Sequence, residues 1–403
     1  VNSSRQTLWS KDFIIVSGIN FLINLVFYLL IVIIGEYAVE QFHASTSVAG
    51  LVTGIFIIGS LIGRLFTGRF IESIGRRKTL FIGLFFFILT TILYLISSNI
   101  GIMLTTRLLH GVAAGIVGTA TGTIAAQIIP AARKAEGIGY FSMSTTLATA
   151  IGPFIGLFMT QHTTFQLIFI FSVILGIISF ITSLFVYVPA VKVTANQHSE
   201  TKEKGFKLSN FIEPNAVPIA IITLIIAFCY SSVLSFIKFY ANEINLVSAA
   251  SFFFLVYSIA VLFSRPFTGR LMDTKGANYI MYPGFIILAG GMMLLSTVHT
   301  GYMLLMAGAL IGLGFGNMQS STQAIAVKLT PVHRMGLATS TFFIALDAGL
   351  GFGPYILGFI IPLTGYRPLY IILGLAVLIS TVLYYFLHGK KEYTLQADVK
   401  SIA

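Results

Sequence analysis

Long apolar runs separated by short charged turns make up most of the chain. Twelve of the runs are long enough to cross a bilayer core of about 30 Å at about 1.5 Å per residue. The predicted spans are 13–34, 47–66, 79–96, 101–124, a fifth carrying Ala148 to Gly156, then 165–188, 218–240, 249–267, 280–298, 302–327, 338–361 and 369–387. Between the second and third lies the densest charge, Gly68-Arg69-Phe70-Ile71-Glu72-Ser73-Ile74-Gly75-Arg76-Arg77-Lys78. It is predicted to be a tight turn, held on the cytoplasmic side by its Arg and Lys excess.

The pattern repeats. Arg64-Leu65-Phe66-Thr67-Gly68-Arg69 returns as Arg265-Pro266-Phe267-Thr268-Gly269-Arg270, an offset of 201, with Asp273 answering Glu72. The same offset carries Pro130 and Arg133 onto Pro331 and Arg334, Gly111 and Gly115 onto Gly312 and Gly316, and Gly152-Pro153 onto Gly353-Pro354. A parallel duplication of this length predicts one six-helix bundle made twice. The expected division is 1–188, a charged cytoplasmic linker at 189–213, and 214–403.

Composition supports a lipid solvent. Of 403 residues 56% are hydrophobic and 9% charged, with mean hydropathy +0.93, too little polar surface to cover a water-soluble globule. The net charge of +11 does not predict nucleic-acid binding, because all of the 24 Lys and Arg except Arg107, Lys238 and Arg367 fall at predicted cytoplasmic positions. It adds attraction to anionic lipid. The lone Cys229 forms no internal disulfide. The first run, at 22 residues, exceeds a signal-peptide core of about 7–15 and is expected to remain as a span.

Polar residues inside the spans are the candidates for chemistry. Asn20, Asn24 and Tyr28 form a stripe at i, i+4, i+8 in the first span, Tyr230 and Ser231 a patch in the seventh, and Asn317 and Gln319 part of a polar run in the tenth. Such groups either line a cavity or hydrogen-bond neighbouring helices, and both readings stay open. Arg107 needs a wet cavity or a carboxylate to offset a cost of about 2.5–3.5 kcal/mol at the bilayer centre, and His110 on the same face is expected to be a hydrogen-bonder of the substrate cavity, not a general base. Asp347 is the only acidic residue well inside a span. Desolvation there disfavours the charged form, which makes it the leading proton-carrying candidate, with Glu36 at the outer side as a second. The alternative for Asp347 is a permanent ion pair, with Arg107 as its candidate partner, that holds the halves in register; in the proton-coupling reading Arg107 tunes the carboxylate's affinity. In the fifth span Ala148, Gly152 and Gly156 share a face that Pro153 bends. No metal-ligand spacing, nucleotide loop or catalytic arrangement stands out, so no enzyme activity, metal or cofactor is expected.

The chain resembles transporters of the major facilitator superfamily. The stretch Gly68 to Lys78 is similar to the family's signature between helices two and three, with Glu72 where Asp is usual. Arg107-Leu108-Leu109-His110-Gly111 is similar to its helix-four motif, and Ala148 to Gly156 to the helix-five motif of its antiporters. The resemblance implies an all-α integral membrane protein of twelve helices in two pseudo-symmetric bundles. It also implies a central cavity lined by helices one, four, seven and ten, and a conformational latch comprising Gly68, Glu72, Gly75, Arg76, Arg77, Gly269 and Asp273. The expected function is proton-coupled export of small amphipathic compounds by a monomer of a bacterial cell membrane, with both termini cytoplasmic. Its partners would be substrate, protons and lipid, with no nucleic acid. The alternative is an exporter or symporter of one polar metabolite such as a sugar, an amino-acid derivative or a metallophore.

Overall fold

The computed structural model describes residues 8–44, 46–189, 210–390 and 392, so most of the expected linker lies outside the described residues. The described residues form twelve helices long and apolar enough to cross a membrane. They are α1 (Lys11–Phe42), α2 (Thr46–Ile74), α3 (Arg76–Ile92), α4 (Ile100–Ile128), α5 (Lys134–His162), α6 (Phe165–Ser183), α7 (Val217–Glu243), α8 (Val247–Lys275), α9 (Asn278–Ser296), α10 (Gly301–Lys328), α11 (Met335–Thr364) and α12 (Tyr366–Tyr384). Large apolar side chains such as Phe85, Phe154, Phe267 and Phe359 are exposed, as a chain with spans of this length and hydropathy allows in a lipid solvent.

Where the apolar runs predict helix ends, several helices run further. α2 continues to Ile74 and α3 begins at Arg76, so the expected eleven-residue turn is helix on both sides of a single break at Gly75. α8 likewise reaches Lys275 and breaks at Gly276. Hydropathy ends a span where charge begins, but the helix continues because its own i→i−4 bonds satisfy the backbone while the charged side chains reach water. Gly75 and Gly276, 201 residues apart, adopt φ of 96° and 97°, a region in which a Cβ is strained. Glu36, placed by hydropathy just past the first span, lies within α1.

By internal contacts the chain forms two compact units. The first comprises Val1–Pro130, Ser144–Glu213 and Thr330–Ile344; the second comprises Ala131–Met143, Pro214–Leu329 and Ala345–Ala403. The start of α11 therefore packs with the first unit and the start of α5 with the second. Within the first unit α2 and α4 meet through glycines. A Cβ at Gly59 or Gly63 would strike the carbonyls of Leu108 or Val112, and one at Gly111 or Gly115 those of Phe56 or Ser60. In the second unit Gly308, Gly312 and Gly316 of α10 sit against Phe253, Tyr257 and Val261 of α8. Between Gly312 and Gly316 α10 takes one π-helical turn.

Candidate functional site

Two carboxylates cap two helix starts. In the second unit Asp273, near the end of α8, accepts the backbone N–H of Ala135 at 2.9 Å and of Glu136 at 2.8 Å, and Lys328 at 2.8 Å. The first N–H groups of α5 lack intrahelical partners, and a negative charge there also meets the positive end of the helix dipole. Glu136, 3% exposed, pairs with Arg133 at 2.6 Å and with Arg270 at 2.7 Å. The side chain of Arg265 is buried and donates to the carbonyls of Gly139 at 3.2 Å and Gly316 at 2.8 Å. Gly269 lets α8 approach, since a Cβ there would lie 2.6 Å from the Glu136 Cα.

The first unit holds the counterpart. Glu72 accepts one N–H, from Gly336 at 3.3 Å, and bonds Arg76 Nη2 at 2.7 Å. Arg76 is buried and also donates to Gln127 Oε1 at 2.8 Å and to the Val332 carbonyl at 2.5 Å. Ser340 donates to the Arg64 carbonyl at 2.6 Å and lies against Gly68, where no larger residue fits. Arg77, by contrast, is exposed and donates to the Leu184 carbonyl.

Arg107 is fully buried, but it meets neither the carboxylate nor the open water that its cost predicts. Its Nε donates to the Val52 carbonyl at 3.0 Å, Nη2 to that of Thr53 at 3.3 Å and Nη1 to Tyr94 Oη at 3.4 Å, with the guanidinium carbon 4.8 Å from the Phe56 ring centre. Because Arg107 can only donate, the Tyr94 hydroxyl proton is left for His110 Nδ1, 2.9 Å away. That assigns the His110 proton to Nε2, which is buried among Phe56, Phe87 and Tyr94 without a hydrogen-bond acceptor.

The stripe on α1 divides. Asn20 is buried and ties α1 to α5 and α4, donating to Ser144 at 2.8 Å and Thr145 at 3.0 Å and accepting from Thr121 at 3.4 Å. Asn24 donates to the Asn20 carbonyl, and Tyr28 lies against Gly152. Gly152 and Gly156 both pack on α1, so this glycine face closes the α1–α5 contact within the first unit. Pro153 is accommodated inside α5. In the second unit Ser231 lies against Gly353, and Tyr230 stacks on Phe315 of the π-turn at 4.0 Å between ring centres. Asn317 donates to Ser264 and accepts from Thr268, while Gln319, two residues on, is half-buried. Asp347 is half-buried on α11 and Glu36 exposed on α1. Sequence reasoning missed Glu136, Arg270, Gln127 and Glu213 as partners. The one available signal was the charged turn 130–136, whose Pro and Arg repeat at Pro331 and Arg334.

The family model for the Major Facilitator Superfamily matches residues 16–349 and 302–401. The chain belongs to this superfamily. An uncharacterized MFS-type transporter of Methanocaldococcus jannaschii is 25% identical over 379 residues, covering 90% of this chain and 92% of the relative. Multidrug resistance protein 2 of Bacillus subtilis is 24% identical over 335 residues, covering 81% and 83%. The quinolone resistance protein NorA of Staphylococcus aureus is 27% identical over 186 residues, 45% of this chain and 46% of NorA. Among solved structures, the superfamily transporter FucP in the outward conformation aligns with TM-score 0.76 at 14% identity, covering 94% of this chain and 99% of FucP. The human organic anion transporter MFSD10 aligns with TM-score 0.72 at 13% identity, covering 92% and 98%. The protein is thus an integral membrane transporter of the superfamily, and among its described residues no group of His, Cys, Asp and Glu is placed to hold a metal ion.

Proposed function

We propose that the protein is a proton-coupled antiporter that exports small amphipathic compounds by alternating access. The observation that carries the proton coupling is Asp347, a half-buried carboxylate in an apolar helix about 18 Å beyond the start of α11. The amphipathic substrate class follows from the likeness to relatives named for multidrug and quinolone resistance. Asp347 binds a proton from outside and releases it inside in exchange for cargo, with Glu36 as a second acceptor at the outer end of α1. Asn24, Tyr28, Tyr230, Ser231 and Gln319 supply polar and aromatic contacts for the cargo. Asn20, Arg107, His110 and Asn317 hold the helices that carry them. The Glu72 and Asp273 caps open and close as the cycle turns, on the cytoplasmic side of a bacterial cell membrane and within a single copy of the chain.

Reconstitution into proteoliposomes tests this. With an imposed pH gradient, vesicles acid inside are expected to accumulate ethidium and related lipophilic cations through inside-out molecules, and a protonophore is expected to collapse the accumulation. Movement of the same cations at equal rate with and without the gradient contradicts proton coupling. Failure to move any of a panel of such cations contradicts the substrate class and favours a polar metabolite.

A further inference from the structure

The two helix-start caps are unequal. Asp273 accepts two backbone N–H groups at 2.8 and 2.9 Å, whereas Glu72 accepts one at 3.3 Å and is turned toward Arg76. The start of α11 is thus held less firmly by its cap than the start of α5. A second carboxylate stands beside it. Glu213, 1% exposed, forms an ion pair with Arg334 at 2.5 Å in the turn that leads into α11, and its own N–H donates to Thr341 Oγ1 at 2.9 Å. Two residues earlier Phe211 is buried, edge-on to Phe66 and 4.4 Å under the Arg69 guanidinium. At the end of the connection between the repeats, Phe211 therefore touches α2 and Glu213, two residues on, touches α11 and the turn before it, all inside the first unit. A buried carboxylate without its cation is strongly unfavourable, so this contact is made or broken as a whole.

We infer that Phe211–Glu213 is a strap that fastens the start of α11 to α2, supplying the hold that Glu72 lacks, and that Glu213 is a positioning residue of the transport cycle. The inference rests on the reading of the helix-start caps as a latch. Its test needs neither substrate nor proton gradient, so it can fail while the transport reading stands.

The test places one cysteine where the strap's release exposes it. Thr339 on α11 is fully buried, facing Gly122 of α4. In the Cys229→Ser, Thr339→Cys protein, reconstituted in liposomes, the rate of alkylation by N-ethylmaleimide reports opening. Glu213→Gln and Arg334→Gln are each expected to raise that rate about tenfold, and the double variant no further than either single, because the pair acts as one contact. Glu72→Asp, which restores the residue used by the other cap, is expected to bring the Glu213→Gln rate back to within about twofold of the parent. An unchanged rate in Glu213→Gln, or no rescue by Glu72→Asp, overturns the inference. Should Glu213→Gln not assemble, the exchange of Glu213→Arg with Arg334→Glu carries the same question. Return to the parent rate supports the strap, and a rate as high as with either swap alone overturns it.

Discussion

Arg107 is a fully buried cation whose charge is met by carbonyl oxygens, a tyrosine hydroxyl and an aromatic face. Replacing it by Met leaves the Val52 and Thr53 carbonyls and the Tyr94–His110 pair short of a donor. The expected loss is about 1–3 kcal/mol, seen as a lower melting temperature in detergent. Arg107→Lys, with one point donor in place of a fork, is expected to fall between; a melting point equal to the parent for both contradicts the network. That Arg107 is special was legible from its place in an apolar run. Its partners were not, because a backbone carbonyl carries no signature in a residue string. Glu392 gives a second residue-scale prediction. It accepts the N–H groups of Ala277 and Asn278, and burial pushes its carboxyl above the ordinary value, against the pull of those bonds and of Lys328. A raised carboxyl makes the contact strongest below the ordinary carboxylate range and weaker as pH rises through the raised value. Amide protection at Asn278, corrected for intrinsic exchange, is expected to follow that course and to lose it in Glu392→Gln. The same pH course in both proteins contradicts the assignment.

Among elements, glycine placement decides which helices touch. Gly111→Ala puts a methyl into the Phe56 carbonyl and is expected to destabilise by about 1–3 kcal/mol, while Gly54→Ala, with no neighbour within 4 Å, is expected to be neutral. Equal melting points for the two variants contradict the α2–α4 packing. Helix number and order were legible because each span is one apolar run, and the capping acidic residues Glu72 and Asp273 stood out in the repeated turns. Helix ends were not, since α2 and α8 continue through charged residues. Nor was the π-turn at Gly312–Gly316, which the sequence shows only as three alternate glycines. The partners in the Glu213–Arg334 ion pair were hidden for a different reason: they are 121 residues apart, and nothing local marks either as the other's mate.

For the whole molecule the offset of 201 made the duplication visible, because the turn glycines and charges recur without a gap. What the offset hides is how each compact unit takes in the start of one helix from the other repeat, 131–143 in one case and 330–344 in the other. Such an exchange gives each carboxylate cap a helix start to hold within its own unit, and in the proposed cycle the release of that start is one step. The proposed cycle depends first on Asp347, with Glu36 as its second acceptor. In proteoliposomes Asp347→Asn is expected to retain exchange of labelled for unlabelled ethidium at equal pH on both sides, and to lose the acceleration of efflux by an inward proton gradient. Gradient-driven efflux that survives Asp347→Asn unchanged would contradict the account.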